Sequence, residues 1–318
     1  MKIRLFLLAL CLNVITVGSW AQECASAQRI VVGFSPGGGA DALARILAER
    51  LSVRTGRPVI VDNRVGAAGN IASSYVAKSP PDGCTLMLTG SHHNLNPLIF
   101  ARAGYQASDF SPVINVVEQP AVLVTGSSQL LQSVAQIVAY AKANPGKLSY
   151  SSSGIGSPNH IAMELFLKAA KIDMVHVPYK GAGPALADAI GGAVALSVGS
   201  AAAVQPHIAS GRLKAVAQSL PKRSPLLPDV PTFAEVGYPT ASTSNWIGIV
   251  APAATPLAIR QKINNDVRAV TQEVEVRSRF ATLGFAAVAS SIDEFDAFLK
   301  DDERVSVRLM QDLKLKVD

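Results

Sequence analysis

Short apolar, β-branched runs alternate along the chain with segments whose apolar residues recur every three or four positions. The runs predict strands over 29–34, 58–61, 85–89, 113–117, 121–125, 148–151, 174–177, 194–198, 214–218 and 247–250. Leu43, Ile46, Leu47 and Leu51 share one helical face, as do Leu131, Val134, Val138 and Ala141 in a helix over 130–143. Ile161, Leu165, Phe166 and Ala169 mark a third helix. Thr255 followed by Pro256 reads as an N-cap with proline at the first helical position. Ser291 and Glu294 have the S-x-x-E spacing of a capping box opening the last helix. Six Pro and Gly residues between 219 and 245 predict a long irregular stretch there. Strands alternating with helices predict an α/β fold with parallel sheets, whose ligand sites lie at the carboxyl ends of strands. No repeat at solenoid periods is present.

At 318 residues the chain is long enough for two domains. Its composition, 49% hydrophobic and 16% charged, excludes a disordered chain. The apolar run over 5–17 is too short to span a bilayer, which takes about 20 residues. The longer uncharged stretches 189–211 and 236–259 are crowded with Gly, Pro, Ser, Thr or Ala and read as buried strands and loops. Lys2 and Arg4 precede the 5–17 run, and Ala25, Ser26 and Ala27 follow it. That is the pattern of a secretory signal peptide over 1–27, with cleavage after Ala21 or after Ala27, and it places the mature protein in the periplasm. Cys84 survives either cut and Cys24 only the earlier one, so a Cys24–Cys84 bridge is open, and neither cysteine has metal-ligand spacing. The net charge of +6, part of it in the leader, is spread without Lys/Arg runs. Nucleic-acid binding is therefore disfavoured, while an anionic small ligand suits the balance.

Two strand-to-helix turns carry candidate chemistry. The first runs Phe34-Ser35-Pro36-Gly37-Gly38-Gly39-Ala40-Asp41. Glycines let the backbone approach a ligand, and the first N–H groups of a helix lack intrahelical partners and attract negative charge. The turn lacks the Gly-Lys-Ser/Thr of a P-loop and the spaced glycines of a dinucleotide fold. The second turn runs Ser151-Ser152-Ser153-Gly154-Ile155-Gly156-Ser157-Pro158-Asn159-His160, with Ser157 as N-cap and Pro158 in the first turn. One cradle in each half of the chain would clamp a small acid between them. Asp41 can cap its helix, support the loop or touch ligand. His160 can meet ligand or simply pack. His92 and His93 read as a loop beside Ser91, which together with His92 can form a pocket edge. No nucleophile elbow is present, and Ser152 and Ser153 have no base partner evident in the sequence.

These turns occur in order with Asp62-Asn63-Arg64-Val65-Gly66, Pro81-Asp82-Gly83-Cys84, Asn96-Pro97, Asn144-Pro145-Gly146-Lys147, Val177-Pro178-Tyr179-Lys180-Gly181 and Leu227-Pro228-Asp229-Val230-Pro231-Thr232. The chain thereby resembles the Bug (TctC-like) substrate-binding proteins of tripartite tricarboxylate transporters, from about residue 29 to the final helix. The resemblance implies a two-lobed Venus-flytrap α/β fold of periplasmic-binding-protein type II, with two hinge-crossing strands. It implies domain 1 over 28–125 and 246–318, domain 2 over 126–245, and crossings near 121–125 and 246–250. It implies a small carboxylate ligand held by Phe34, Ser35, Gly38, Gly39, Ala40 and Asp41, by Ser153, Gly154, Gly156, Ser157 and His160, and by Tyr179 and Lys180, the last a counter-charge or a solvated turn residue. The family often has a cleft-facing aspartate after strand 194–198. Here Gly199 and Ser200 stand instead, which favours a ligand lacking an amino or hydroxyl group there. The implied partners are a small organic anion and a membrane permease. No cofactor, metal or catalytic residue is expected, and the receptor is expected to be monomeric. An exported hydrolase, or a receptor signalling to a membrane protein, are the other readings the sequence leaves open.

Overall fold

The computed structural model describes residue 24 and residues 27–155, 157–179 and 181–313, with side chains as far as 307. Most of the expected leader, with Gly156 and Lys180, lies outside the described residues. The first half runs β1 (Gln28–Val32), α1 (Gly39–Thr55), β2 (Val59–Asn63), α2 (Asn70–Ala77), β3 (Thr85–Gly90), α3 (His92–Ile99), β4 (Phe110–Gln119), β5 (Ala121–Gly126), α4 (Val134–Ala143) and β6 (Ser149–Ser152). The second half runs α5 (Pro158–Ala170), β7 (Val175–Pro178), α6 (Ala182–Gly191), β8 (Leu196–Ser200), α7 (Ala201–Ala209), β9 (Leu213–Gln218), β10 (Asn245–Pro252), α8 (Leu257–Gln272), α9 (Val274–Thr282), β11 (Ala286–Ala287) and α10 (Ile292–Leu313).

The strands form two sheets, ordered β11-β4-β10-β3-β1-β2 and β7-β6-β8-β5-β9. Helices cover both faces of each sheet, which is why the strands read as nearly continuous apolar runs. Successive residues of β1 and β3 point to opposite layers. Ile30, Val32 and Leu86 join a core with α1 and α8, while Val31 and Met87 join Trp246 and Phe295 on the other face. In the second sheet Leu123 packs with Phe166 and Phe233, and Val122 and Val124 pack with Leu186 and Val204.

Neither sheet is wholly parallel, contrary to the sequence expectation. Strand β10 lies antiparallel between β3 and β4, and β5 lies antiparallel between β8 and β9. Strand β5 follows β4 of the first sheet across Pro120, and β10 follows the irregular 219–244 segment that leaves β9 of the second. A periodicity of two shows that a strand exists but carries no sign of its direction, so this feature was invisible in the pattern. Strand β5, grouped with domain 1 from the sequence, pairs within the second sheet. Ser219 ties the two crossings together. Its N–H donates to the Ala121 carbonyl at 2.9 Å and its carbonyl accepts from the Thr243 N–H at 2.8 Å. Its hydroxyl accepts from the Ala121 N–H and donates to the Thr243 carbonyl.

Other local expectations differ by small steps. The 92–99 segment is helix α3 rather than loop. The 189–211 stretch contains the end of α6 and all of α7 as well as β8. Thr255 does not cap α8: the N-cap is Pro256, and the buried Thr255 hydroxyl has no hydrogen-bond partner. The Ser291–Glu294 capping box forms as expected, with Oε2 of Glu294 accepting from the Ser291 N–H at 2.7 Å and Ser291 Oγ accepting from the Glu294 N–H at 3.2 Å. Between α9 and β11, Gly284 has φ +76°, and an added Cβ would fall 2.7 Å from the backbone nitrogen of Ala202 on α7. The two lobes meet there backbone to backbone.

Cys24 and Cys84 are joined in a disulfide across 60 residues, linking the start of the described chain to the entry of β3. Closing a loop of that length removes unfolded-state entropy worth about 4 kcal/mol. Cys84→Ser is therefore expected to lower the unfolding free energy by about 2–4 kcal/mol, read by urea denaturation of the oxidised proteins. Equal midpoints would show that the bond carries no stability.

Candidate functional site

The first turn leaves β1 and enters α1 with residues 34–39 all exposed. Its shape is fixed from below by Asp41, which is only 3% exposed. Oδ2 of Asp41 accepts from the Gly37 N–H and from Arg45 Nε, both at 2.9 Å. Oδ1 accepts from Asn63 Nδ2 at 2.9 Å, and the same amide donates to the Phe34 carbonyl at 3.0 Å. The Arg45 hydrogen bond, opposed by burial and aided by Gly37 and Asn63, pulls the Asp41 pKa down to about 2. Asp41 thus spends its carboxylate inside the loop. The glycine whose conformation the turn requires is Gly37, at φ +86°; Gly38 is extended at φ −78°. Sequence reasoning singled out Gly38 and Gly39 and passed over Gly37, because a run of three glycines does not say which one turns.

The second turn joins β6 to α5. Ser157 caps the helix, its Oγ accepting from the His160 N–H at 3.3 Å. Gly154 has φ +138°, and Ser152 Oγ lies 3.2 Å from the Gly154 N–H it accepts. Beneath this turn the rings of Tyr150, His176 and His160 stack, with centroid separations of 4.9 and 4.0 Å. Tyr150 donates to Glu164 at 2.5 Å. Burial lowers the pKa of His160, and burial followed by the neighbouring His160 lowers that of His176 to about 4. His160 is 7% exposed and serves as part of this neutral stack. Ser152 Oγ is 2.8 Å from His176 Nε2, a base partner that the sequence did not disclose. Ser152, however, is 0% exposed. The Tyr179 hydroxyl donates to Asp188. Ser200 occupies the N-cap position of α7 without a side-chain capping bond, and does not line the cavity described next.

Both turns border one cavity of about 450 Å³. Phe34 and Ala40 come from the first turn, Ile155 and Pro158 from the second, and Asn245 and Ile247 from the returning strand β10. Ser91 and His92 line it from the start of α3. The rest of its wall comes chiefly from the end of β3 and from α3, including Leu95, Asn96, Ile99 and Phe100. The sequence had flagged Asn96-Pro97 only as a motif. The apolar spacing of Leu95, Ile99 and Phe100 was the available signal for a helix, obscured by Pro97. Of the remaining sequence candidates, Ser35, Gly38, Gly39, Asp41, Ser153, Gly154, Ser157, His160 and Tyr179 stand around the turns without lining this cavity. His92 packs edge-on against Phe34 at 5.1 Å and lies 3.2 Å from Thr89 Oγ1. Burial lowers its pKa to about 4. His93 points the other way, into a buried cluster with Tyr105 and Phe110.

Behind the cavity, at the lobe crossing, Asp302 accepts from Asn94 Nδ2 at 2.9 Å and from Trp246 Nε1 at 3.3 Å. Burial outweighs these bonds and raises its pKa to about 6. Among the described residues no group of three or more His, Cys, Asp or Glu could hold a metal ion. No described helix is long and apolar enough to cross a membrane.

Two sheet-based lobes, exchanged strands and a cavity between opposed turns define a solute-binding protein of the periplasmic type. Residues 43–315 match the family model described as "Tripartite tricarboxylate transporter family receptor", and the chain belongs to that family. It is 37% identical to Protein BugT of Bordetella pertussis over 277 residues, covering 86% of this chain and 85% of that one. A solved R. palustris protein with adipate is 33% identical with a TM-score of 0.72, covering 90% of this chain and 97% of its own. MatC from Rhodopseudomonas palustris, with bound malate, is 27% identical with a TM-score of 0.65, covering 89% and 99%.

The two shifted carboxyls act on stability in opposite directions. Asp41, ordinarily near 3.8, contributes stability present in full above about pH 4 and lost as pH falls through about 2. Asp302 binds its proton more tightly when folded, so stability falls as pH rises from about 4 to about 6 and then levels. Asp302→Asn is expected to flatten the decline between pH 4 and 6, and Asp41→Asn to flatten the acid limb, in urea midpoints measured across pH. An unaltered profile in either variant would contradict the corresponding assignment.

Proposed function

We propose that this protein is an extracytoplasmic receptor that captures a small carboxylate between its lobes and presents it to a membrane permease. The observation that carries the reading is the cavity bordered by both turns. The turn opening α1 is exposed and supplies helix-terminal N–H groups that no intrahelical acceptor uses. Charge-assisted hydrogen bonds of this kind contribute about 1.5–3 kcal/mol each, so a few suffice for a small anion. The adipate and malate named with its relatives support an organic acid as the class of ligand. Gly38, Gly39 and Ala40 would present their amides, and Ser153, Gly154, Gly156 and Ser157 the opposing polar groups. Lys180 would stand at the pocket edge as counter-charge.

The lobes divide in this proposal at Pro120 and at Thr243–Ser244, giving 28–120 with 245–318 against 121–244, because β5 belongs to the second sheet. A ligand favours closure only by the contacts it makes with both lobes. The mature receptor acts as a monomer in the periplasm after loss of its leader, and uses no cofactor. Catalysis is not part of the proposal. The Ser152–His176 contact is the feature that would favour a hydrolase, and its burial opposes that role. A signalling role reads the same closure and is separated from delivery only by the partner.

A thermal-shift screen of small carboxylates against the mature protein should raise the melting temperature, in proportion to occupancy, while a chromogenic ester panel should show no turnover. Turnover that is lost in Ser152→Ala would replace the receptor reading with the hydrolase. Gly37→Val forces a β-branched residue to φ +86° and should weaken carboxylate binding at least tenfold while the circular dichroism spectrum is kept. Unchanged affinity would remove the first turn from the site.

A further inference from the structure

We infer that the receptor selects a monocarboxylate with an uncharged hydrocarbon body, and discriminates against short dicarboxylates. This deepens the carboxylate-receptor reading above and rests on it. The cavity between the turns is walled largely by hydrocarbon: Phe34, Leu95, Ile99, Phe100, Ile155 and Ile247 all face it. Among the described lining residues none carries a formal charge. The titratable one, His92, is held neutral at pH 7 by its burial.

Three of the polar side chains in the wall, Asn96, His92 and Thr89, already have partners, while Ser91 and Asn245 also line it. Asn96 Nδ2 donates to the Ala68 carbonyl at 2.9 Å and to Asn70 Oδ1 at 2.7 Å, and His92 Nε2 is paired with Thr89 Oγ1. The cavity therefore offers dispersion contacts and water release, with no cation among its described lining residues for a second carboxylate. An ionised group taken into such a place loses its hydration without a partner. A methylene taken into it gains about fourfold in affinity, the transfer value for one buried CH₂. At about 450 Å³ the space lies in the range of ordinary ligand pockets and accommodates far more than a two- or three-carbon acid. The exposed tip residue Ile155, 66% accessible, would close over the hydrocarbon from the second lobe.

The test is calorimetry at pH 7 on the mature protein with carbon-matched acids: butyrate and hexanoate against succinate and adipate. Hexanoate should bind at least tenfold more tightly than adipate, and about tenfold more tightly than butyrate. Ile155→Ser, at a solvent-exposed position that the fold does not depend on, should weaken hexanoate at least threefold and leave the melting temperature of the free protein unchanged. Leu95→Asn should weaken it further. Adipate or succinate binding as tightly as hexanoate overturns the selectivity and leaves the carboxylate receptor standing. Binding of neither series overturns both. Unchanged hexanoate affinity in Ile155→Ser and in a folded Leu95→Asn removes the hydrocarbon from this cavity and overturns the inference.

Discussion

Each sheet is completed by a strand that arrives from the other lobe, and one of them, β10, also walls the cavity. Strand β10 sits between β3 and β4 with both edges hydrogen-bonded, and β5 sits likewise between β8 and β9. Neither can be withdrawn without opening a buried ladder, whose unpaired groups each cost about 1–3 kcal/mol. The lobes are thus bound to a common axis. Ser219 spans that axis with four hydrogen bonds to Ala121 and Thr243.

The face of each lobe that borders the gap is built by a strand end and the helix after it. In the first lobe a buried acid organises that junction. Asp41 holds Gly37, Arg45 and Asn63 at once, so the turn is shaped from the protein side and keeps its outer amides turned to solvent. In the second lobe a stack of three rings, anchored by Tyr150 on Glu164, lies beneath the turn. The two supports differ in chemistry: a buried carboxylate hub under one turn, an aromatic stack under the other.

The strands were legible because both faces of each sheet are covered, which makes every strand a compact apolar run. Strand β3 was expected over 85–89 and occupies Thr85–Gly90. The Ser291 capping box was equally plain, since its two hydrogen bonds depend on a fixed four-residue spacing. What the pattern concealed was of another kind. Strand direction leaves no periodic trace, so β5 and β10, marked as crossings by the resemblance, gave no sign of running antiparallel. Helix α3 is eight residues long with Pro97 inside it, and its helical propensity is overridden by packing against the cavity and α10. The turns were found through glycine and hydroxyl content, yet the wall of the cavity comes largely from α3 and β10, which carry no such signature. Of the three roles the sequence left open for Asp41, its hydrogen bonds to Gly37, Arg45 and Asn63 fit support of the loop.

The backbone meeting of Gly284 with Ala202 has a consequence for how this receptor can diversify. Neither residue borders the cavity, yet together they set how near the lobes come at one flank. Any side chain larger than those present would act as a shim, holding the mouth ajar by its own thickness. Aperture can therefore drift in evolution by single-residue steps at a place remote from the pocket wall, uncoupled from the chemistry of what the pocket accepts.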